Sequence, residues 1–339
     1  MSELVSTESA VTFDVVWEHG KLLSAMTDSP EINHFLELLK LTQSYNTWVN
    51  YVFDLKCFFK VIAKPPDAIT RADCLRFMHA QDQADYADAT INRRLAAVSS
   101  LFNELTLLDS KRFPLNPIYP RPLKQQRYSS KQSLYRRQAQ RVPDILSEEE
   151  LQTFFTALPS WRDRTLVLLM WVSCLRIGEA VAIRFQDIEC SRRSIHIPVA
   201  KWGNIRTVFM DTTTFAALNR YLDEERKDLF PDVDHLFVAF KGKARGRPLS
   251  INAVQKMLKY HAERCNLLHI HAHLFRHTGI TQLVQQGMSE PVIRQFVGHR
   301  SPDSLLPYLH LSDDFVAMEF EKVQTGLELT NEFRTGGAL

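Results

Sequence analysis

The pentapeptide His-Leu-Phe-Arg-His at residues 273–277 brings two imidazoles and a guanidinium into little more than one helical turn. On a helix, the spacing of three residues puts His273 and Arg276 on the same face. An imidazole exchanges protons near neutral pH, and a guanidinium binds phosphate oxygens without changing its protonation state. The pair therefore predicts a site for phosphate chemistry. His277 points away from that face, and we interpret it as a packed or exposed side chain.

A second guanidinium precedes this pentapeptide, in the sequence Arg-Ile-Gly-Glu at residues 176–179. Arg176 follows the apolar run 166–175, which we interpret as a buried helix that ends at this arginine. An unpaired guanidinium is costly in apolar surroundings. Glu179, one helical turn further on, is placed to hold it. Arg176 and Arg276 together suit the negative charge that develops on a phosphodiester under attack.

Three more residues complete a set suited to phosphodiester cleavage. Lys201 lies in a predicted turn between two short strands, from which a lysine can protonate a leaving 5′-oxygen. His299 follows Gly298 at a predicted turn and can donate a hydrogen bond to a phosphate oxygen. Tyr308, nine residues after His299, is the candidate nucleophile. A phosphotyrosine preserves the energy of the broken bond, which makes the cleavage reversible.

Length and composition predict a globular chain of two domains. The 339 residues exceed one typical domain, and 45% hydrophobic with 24% charged residues is an ordinary composition. The apolar run 166–175 is too short to span a bilayer, and the first residues lack the pattern of a signal peptide. The five cysteines are scattered, without a Cys-x-x-Cys pair, which argues against disulfides and a zinc site. We therefore expect a cytoplasmic protein with no metal.

The hydrophobic periodicity predicts a fold that is mainly α with a small antiparallel β-sheet, in the α+β class. Short strands are predicted at 183–188, 194–199 and 206–210. Capping boxes are predicted at the start of two helices, at Thr70 with Asp73 and at Ser147 with Glu150. The predicted organisation is an N-terminal extension (1–31), a helical domain (32–108), a basic proline-containing linker (109–144), a mixed helix and sheet domain (145–312) and an apolar C-terminal tail (313–339).

The net charge of +2 conceals an uneven distribution of basic residues. Residues 111–141 hold nine Lys/Arg and no Asp or Glu, and the loop 241–247 holds four basic residues in seven. Such segments suit a polyanion, because cations near phosphates release counterions, but a solvated linker has the same composition. The candidate DNA contacts are Arg93, Arg94, Lys124, Arg127, Lys131, Arg136, Arg137, Lys241, Lys243, Arg245 and Arg247.

Taken in order, these motifs resemble those of the tyrosine site-specific recombinases, or phage-integrase family. The similarity covers residues 35–312, and it includes 44–55 and 90–95, which look like that family's SAM-like core-binding helical domain. The resemblance implies that Arg176 and Arg276 clamp the scissile phosphate, that Glu179 orients Arg176 and that Lys201 is the general acid. It further implies that His273 is a general base or phosphate donor, that His299 is a further donor, and that Tyr308 forms a 3′-phosphotyrosine.

The resemblance also implies a biological context. The substrate would be double-stranded DNA with an inverted-repeat core site, cut and rejoined through a Holliday junction in integration, excision or resolution. Two protomers would bind one site and four would form the synapse, with the tail after residue 313 docked on a neighbouring protomer. Accessory DNA-bending proteins are possible partners. Neither a cofactor nor a metal is implied, no membrane is involved, and the protein would be associated with the nucleoid.

Three positions depart from the family pattern. Cys174 stands where a glycine is usual, Phe275 where a leucine is usual, and Pro307 directly precedes Tyr308. Two alternative functions share the fold. A type IB topoisomerase-like enzyme would use the same chemistry as a monomer, but the apolar tail favours a protein that contacts its neighbours. An inert DNA-binding regulator is the other alternative, against which stands the presence of competent residues at all six chemical positions.

Overall fold

The computed structural model describes residues 11–119, 133–136, 144–198, 205–227 and 229–298, together with Leu305 and Tyr308. The chain forms two compact units, residues 1–139 and 140–339. Among the described residues, the structure confirms the predicted class, because helices dominate and the only sheets are small and antiparallel. No helix in the described ranges has the length and apolarity needed to cross a bilayer.

The first unit begins with a β-hairpin in the segment predicted as an N-terminal extension. Strands β1 (Phe13–Glu18) and β2 (Lys21–Thr27) pair antiparallel. The turn between them consists of His19 and Gly20, whose φ angles of 49° and 77° are both positive. Two consecutive positive φ angles are typical of the tight hairpin turns that match the twist of the strands. The sequence did not predict this hairpin, because its strands lack a clear alternation of polar and apolar residues.

Four helices form the body of the first unit, and the first of them begins two residues before the predicted helical domain. The structure confirms the predicted capping box at Thr70, whose hydroxyl accepts from the backbone N–H of Asp73 while the Asp73 carboxylate accepts from the backbone of Thr70. Apolar faces of the helices meet in one core, which also buries Phe113, Ile118 and Leu134 from the segment predicted as a linker. The helices are α1 (Pro30–Thr42), α2 (Tyr45–Ile62), α3 (Arg71–Gln83) and α4 (Asp88–Leu108).

The second unit packs seven helices around a three-stranded sheet, within the residues described. The sheet has the order β3-β4-β5, with every pair antiparallel. The strands are β3 (Ile188–Glu189), β4 (Ser194–Ile197) and β5 (Arg206–Phe209). The helices are α5 (Glu148–Ala157), α6 (Trp161–Trp171), α7 (Ile177–Ala182), α8 (Thr212–Arg220), α9 (Ile251–Arg264), α10 (Ala272–Gln285) and α11 (Glu290–Val297).

Helix α10 approaches α6 closely because residue 279 is glycine. A Cβ atom added to Gly279 would lie 2.0 Å from the backbone oxygen of Trp171. Phe275, on the same helix, is fully buried with its ring centroid 5.3 Å from that of Phe154. The larger ring at the position where the family usually has leucine is therefore accommodated in the core of the second unit.

Two details differ from the predicted elements. The predicted strand 183–188 is wrong, because α7 ends before Ile183 and a 3₁₀ turn at Phe185–Asp187 follows, leaving only Ile188 in a strand. Ile183 is buried in the core of the second unit and Ile188 packs against that core, whereas Phe185 is exposed. Periodicity alone does not distinguish this arrangement from a strand. The apolar helix also ends earlier than predicted, at Trp171, so Arg176 caps α7 instead of closing α6.

Candidate active site

Arg176 and Glu179 form a reciprocal pair at the start of α7. The backbone N–H of Arg176 donates to Oε2 of Glu179 over 2.8 Å, and its Nη1 donates to Oε1 over 3.0 Å. Acidic residues in the first helical turn are stabilised by the unpaired backbone N–H groups found there. The Arg176 side chain nevertheless remains 41% exposed, against 11% for Glu179. The guanidinium is thus held by the protein and still open to a ligand.

Arg276, the second predicted phosphate-binding arginine, extends from α10 and is only 4% exposed. Its Nη1 donates to the backbone oxygen of Cys174, and its Nη2 donates to the backbone oxygen of Val297 over 2.8 Å. Burial, followed by the charge of Arg176, lowers the pKa of Arg276 to about 10. The guanidinium stays charged at neutral pH, and its backbone contacts fix its orientation.

The backbone of Cys174 explains why glycine is usual at this position. Its φ of 50° lies in the left-handed region, which glycine adopts at little cost and other residues seldom adopt. The turn is needed because it aims the Cys174 carbonyl at Arg276 between α6 and α7. The thiol is fully buried, and burial raises its pKa to about 12, so the cysteine is a packing residue and not a nucleophile.

Glu179 has a second arginine partner that the sequence analysis did not identify. Arg206, the first residue of β5, donates from Nη1 to Oε1 over 3.0 Å and from Nη2 to Oε2 over 2.8 Å. Burial alone would raise the pKa of Glu179, but the hydrogen bonds from Arg206 and from the backbone of Arg176 lower it to about 2. The signal available in the sequence was an arginine at the start of the predicted strand that follows the Lys201 turn.

Tyr308 meets His277, the histidine that was interpreted as a packing residue. The Tyr308 hydroxyl is hydrogen-bonded to Nδ1 of His277. The neighbouring His273 is exposed, and its ring centroid lies 6.2 Å from that of His277. Burial raises the pKa of Tyr308 to about 12, whereas burial followed by the charge of His273 lowers the pKa of His277. A neutral phenol therefore sits beside a neutral imidazole that can accept its proton.

Gly298 ends α11 in a conformation that explains the Gly-His sequence. Its φ is 70°, and an added Cβ would lie 2.8 Å from Nη1 of Arg206. Both facts require glycine here.

Three residues singled out in the sequence lie outside the described residues. They are His299, Lys201 in the connection between β4 and β5, and Pro307 before Tyr308. In the described part of the chain, no group of His, Cys, Asp or Glu is arranged to hold a metal.

The candidate DNA contacts fall into three groups. Arg93 is paired with Asp54, Arg94 with Gln81, and Arg136 with Asp82 and Asp88 in the first unit. The loop residues Lys241, Lys243, Arg245 and Arg247 are exposed on the second unit. Lys124, Arg127, Lys131 and Arg137 lie outside the described residues.

Profiles of two known domains match the chain. That of the phage integrase family matches residues 144–314, and that of the phage integrase N-terminal SAM-like domain matches residues 32–107. Among curated proteins, a tyrosine recombinase of Thermosipho africanus is 26% identical over 279 residues, covering 80% of this chain and 90% of that protein. Tyrosine recombinase XerA of Pyrococcus horikoshii is 24% identical over 301 residues, covering 88% and 95%.

Solved structures show the same fold. The Tn1549 transposon integrase, in complex with transposon right end DNA, has a TM-score of 0.68 at 17% identity and covers 86% of this chain and 98% of its own. The XerH site-specific recombinase bound to a difH substrate has a TM-score of 0.60 at 19% identity, with 81% and 79% covered. The two family profiles confirm the resemblance found in the sequence. The chain belongs to the phage integrase family, as a tyrosine recombinase that cleaves and rejoins DNA strands in site-specific recombination.

Proposed function

We propose that this recombinase cuts each strand by forming a 3′-phosphotyrosine at Tyr308. The observation that carries the proposal is the hydrogen bond between the Tyr308 hydroxyl and His277, directly beside Arg276 in the sequence. Among the described residues, the Tyr308 hydroxyl is a nucleophilic oxygen bonded to an imidazole base, and the phosphate-binding Arg276 adjoins that base in the sequence. Such a group suits phosphoryl transfer, in which the protein positions the reactants and stabilises charge.

Residues of this chain account for each bond and each proton in the cleavage step. The Tyr308 oxygen bonds to phosphorus as its proton passes to Nδ1 of His277, and the bond from phosphorus to the 5′-oxygen breaks. Because the pKa of Tyr308 is about 12, the phenol needs this acceptor at neutral pH. We assign protonation of the leaving 5′-oxygen to Lys201. Rejoining reverses these transfers, so the strand is resealed without an external energy source.

The remaining site residues stabilise the phosphate. Arg176 and Arg276 face the developing negative charge, Arg176 from a partly exposed position and Arg276 from a buried one. Glu179 orients Arg176. We assign His273 and His299 to hydrogen bonds with phosphate oxygens. This changes one expectation from the sequence, since the contact with Tyr308 favours His277 over His273 as the proton acceptor.

The exposed loop 241–247 is the best-supported DNA contact among the described candidates. Its four basic side chains are exposed, so phosphates can approach them without breaking an internal ion pair of the kind that Arg93 and Arg136 form. For Arg93, Arg94 and Arg136, a phosphate would compete with carboxylate or amide partners. The basic residues outside the described ranges keep their predicted role as contacts along the DNA backbone.

We extend the proposal to assembly on an inverted-repeat core site. A dimer would bind one site, and four protomers would exchange strands through a Holliday junction, with the tail at 313–339 docked on a neighbour. Support comes from the solved relatives, which include a lambda integrase dimer bound to a core site, XerH on its difH substrate and the Tn1549 integrase on transposon DNA. Acting on such a substrate, the enzyme would work at the nucleoid, and accessory DNA-bending proteins would be its partners.

The test is covalent capture on DNA. The purified chain is incubated with a pool of duplexes that includes the sequences flanking its own gene, denatured, and the protein-linked ends are sequenced. Wild type should form adducts at one inverted-repeat core, and Tyr308→Phe should bind the same DNA without an adduct. Tyr260→Phe is the matched control, because Tyr260 is an exposed tyrosine on α9 that contacts Arg264.

Three results would contradict the proposal. An adduct that persists in Tyr308→Phe would mean that another residue is the nucleophile. Adducts spread over the pool without sequence preference would indicate a topoisomerase-like activity instead. Tight binding at one site with no adduct in wild type would indicate a DNA-binding regulator.

A further inference from the structure

Three arginines converge on the end of α11 through consecutive backbone carbonyls. Nε of Arg206 donates to the oxygen of Phe296 over 2.9 Å, and Nη2 of Arg276 to that of Val297 over 2.8 Å. Nη2 of Arg176 reaches the oxygen of Gly298 at 3.4 Å. The last carbonyls of a helix have no partners within the helix and form the negative end of its dipole. Cations from β5, α10 and the start of α7 therefore meet at one point.

The Glu179 carboxylate joins the same arginines on their other side. Arg206 spans both carboxylate oxygens, while Arg176 donates to each of them through its backbone and its side chain. Nη1 of Arg276 lies 4.0 Å from Oε2. With three positive charges around one negative charge, the cluster keeps an excess of positive charge. It can therefore attract a phosphate only if its internal contacts hold the guanidiniums in place.

The position of Arg206 separates its role from that of the two predicted phosphate-binding arginines. Its side chain is 7% exposed, and Nε, Nη1 and Nη2 each donate to a group within the second unit. By contrast, Arg176 is 41% exposed. A planar guanidinium suits this bridging geometry, since it can contact a carboxylate with two nitrogens and a carbonyl with the third.

Resting on the proposed function, we infer that Arg206 is a positioning residue for phosphate cleavage. It holds Glu179 in the orientation that aims Arg176 at the scissile phosphate, and it ties that pair to the α11 terminus that precedes His299. It also begins β5, the strand that follows the Lys201 connection. Arg206 touches no substrate in this scheme and acts through Glu179.

The test compares single-turnover cleavage of two DNA substrates by Arg206→Met and wild type. One has the natural scissile phosphate, and the other has a neutral methylphosphonate at that position. Loss of one preorganised charge-stabilising donor slows a reaction about 100-fold, and we expect a loss of this order at the natural phosphate, with DNA affinity unchanged. At the methylphosphonate, the ratio of wild-type to variant rates should fall at least about tenfold, because the charge that Arg176 neutralises is absent.

Two further variants complete the design. Arg206→Lys should recover only part of the rate, since an ammonium cannot span both carboxylate oxygens and the carbonyl. Arg193→Met is the matched control, because Arg193 directly precedes β4, is exposed, and donates from Nη1 to the Thr212 hydroxyl over 2.8 Å, away from Glu179. It should cleave both substrates at the wild-type rate.

The outcomes distinguish this inference from the proposed function. Equal losses on both substrates, or no loss at the natural phosphate, would overturn the positioning role. A wild type that forms no Tyr308 adduct would refute the proposed function instead. In that case the inference is tested on DNA-free protein labelled with ¹⁵N-arginine. The Arg176 side-chain signals are identified as those that disappear in Arg176→Lys. Sharp Arg176 side-chain signals should broaden in Arg206→Met, and unchanged signals would refute the inference.

Discussion

In each unit of the molecule a carboxylate with little solvent exposure lies among arginines, and the pKa values of these two carboxylates shift in opposite directions. Asp54 in the first unit and Glu179 in the second have side chains that are 4% and 11% exposed. Burial raises the pKa of Asp54, and the charge and hydrogen bond of Arg93 offset only part of this effect. Burial also acts on Glu179, but there the hydrogen bonds from Arg206 and Arg176 outweigh it and the pKa falls to about 2.

The difference lies in the number and geometry of donors. Asp54 is paired with Arg93, whose side chain is 43% exposed, and Nε of Arg94 lies 3.9 Å from Oδ1 of Asp54. Glu179 accepts four hydrogen bonds of 2.8–3.0 Å from Arg176 and Arg206, and one of the four donors is the backbone N–H of Arg176. A buried charge is stable when its partners replace the lost water completely. The second unit meets this condition at the site where an oriented cation is needed.

The largest expected effect comes from Glu179→Gln, which removes the negative charge and nearly preserves the shape. At neutral pH the free energy of unfolding should fall by about 3 kcal/mol, the value that corresponds to a pKa moved from 4.5 to about 2. Urea titrations of wild type and variant measure the difference. Equal stabilities would mean that the three arginines do not depend on this carboxylate.

The pH dependence follows from the sign of the shift. The folded pKa of Glu179 is depressed, so its contribution is complete above the unfolded value of 4.5 and is lost as the pH falls towards 2. The stability advantage of wild type over Glu179→Gln should therefore shrink between about pH 5 and pH 2. An advantage that stayed constant over this range would contradict the ionic role.

A smaller effect is expected from Gly298→Ala, with Gly20→Ala as its control in the other unit. Both glycines have positive φ, 70° and 77°, but an added Cβ would meet Arg206 at Gly298 and nothing within 4 Å at Gly20. Backbone strain alone costs about 1 kcal/mol, and displacement of Arg206 should bring the total at Gly298 to about 2 kcal/mol. Urea titrations would show the ranking, and cleavage should slow only in Gly298→Ala.

The smallest effect is expected from Asp54→Asn. Burial already disfavours the Asp54 charge, and Arg93 is exposed enough to be hydrated, so the unfolding free energy should change by less than about 1 kcal/mol. Because its folded pKa is raised, the contribution of Asp54 is greatest at low pH and declines as the pH rises from 3.8 through the folded pKa. From pH 3 to pH 7, the free energy of unfolding of wild type should fall relative to that of Asp54→Asn. This is the opposite of the trend expected when wild type is compared with Glu179→Gln.

Local sequence was enough to predict the elements that depend on neighbouring residues. The capping boxes at Thr70 and Ser147 are confirmed, because a hydroxyl and a carboxylate three residues apart satisfy backbone N–H groups within one turn. The pairing of Arg176 with Glu179 has the same local origin. The prediction of a strand at 183–188 was wrong, because the structure of this segment depends on packing against distant elements. Hydrophobic periodicity carries no information about such packing.

The family, the α+β class and the identity of the motifs follow from the order of the amino acids, since these depend on residue types and on spacing along the chain. Only the tertiary structure brought Arg206 to Glu179 across 27 positions and Tyr308 to His277 across 31. Nothing local marks either pair, because a helix or strand period relates residues a few positions apart. Contacts between elements are decided by how the core packs, and that packing placed a third arginine and a second histidine in the site.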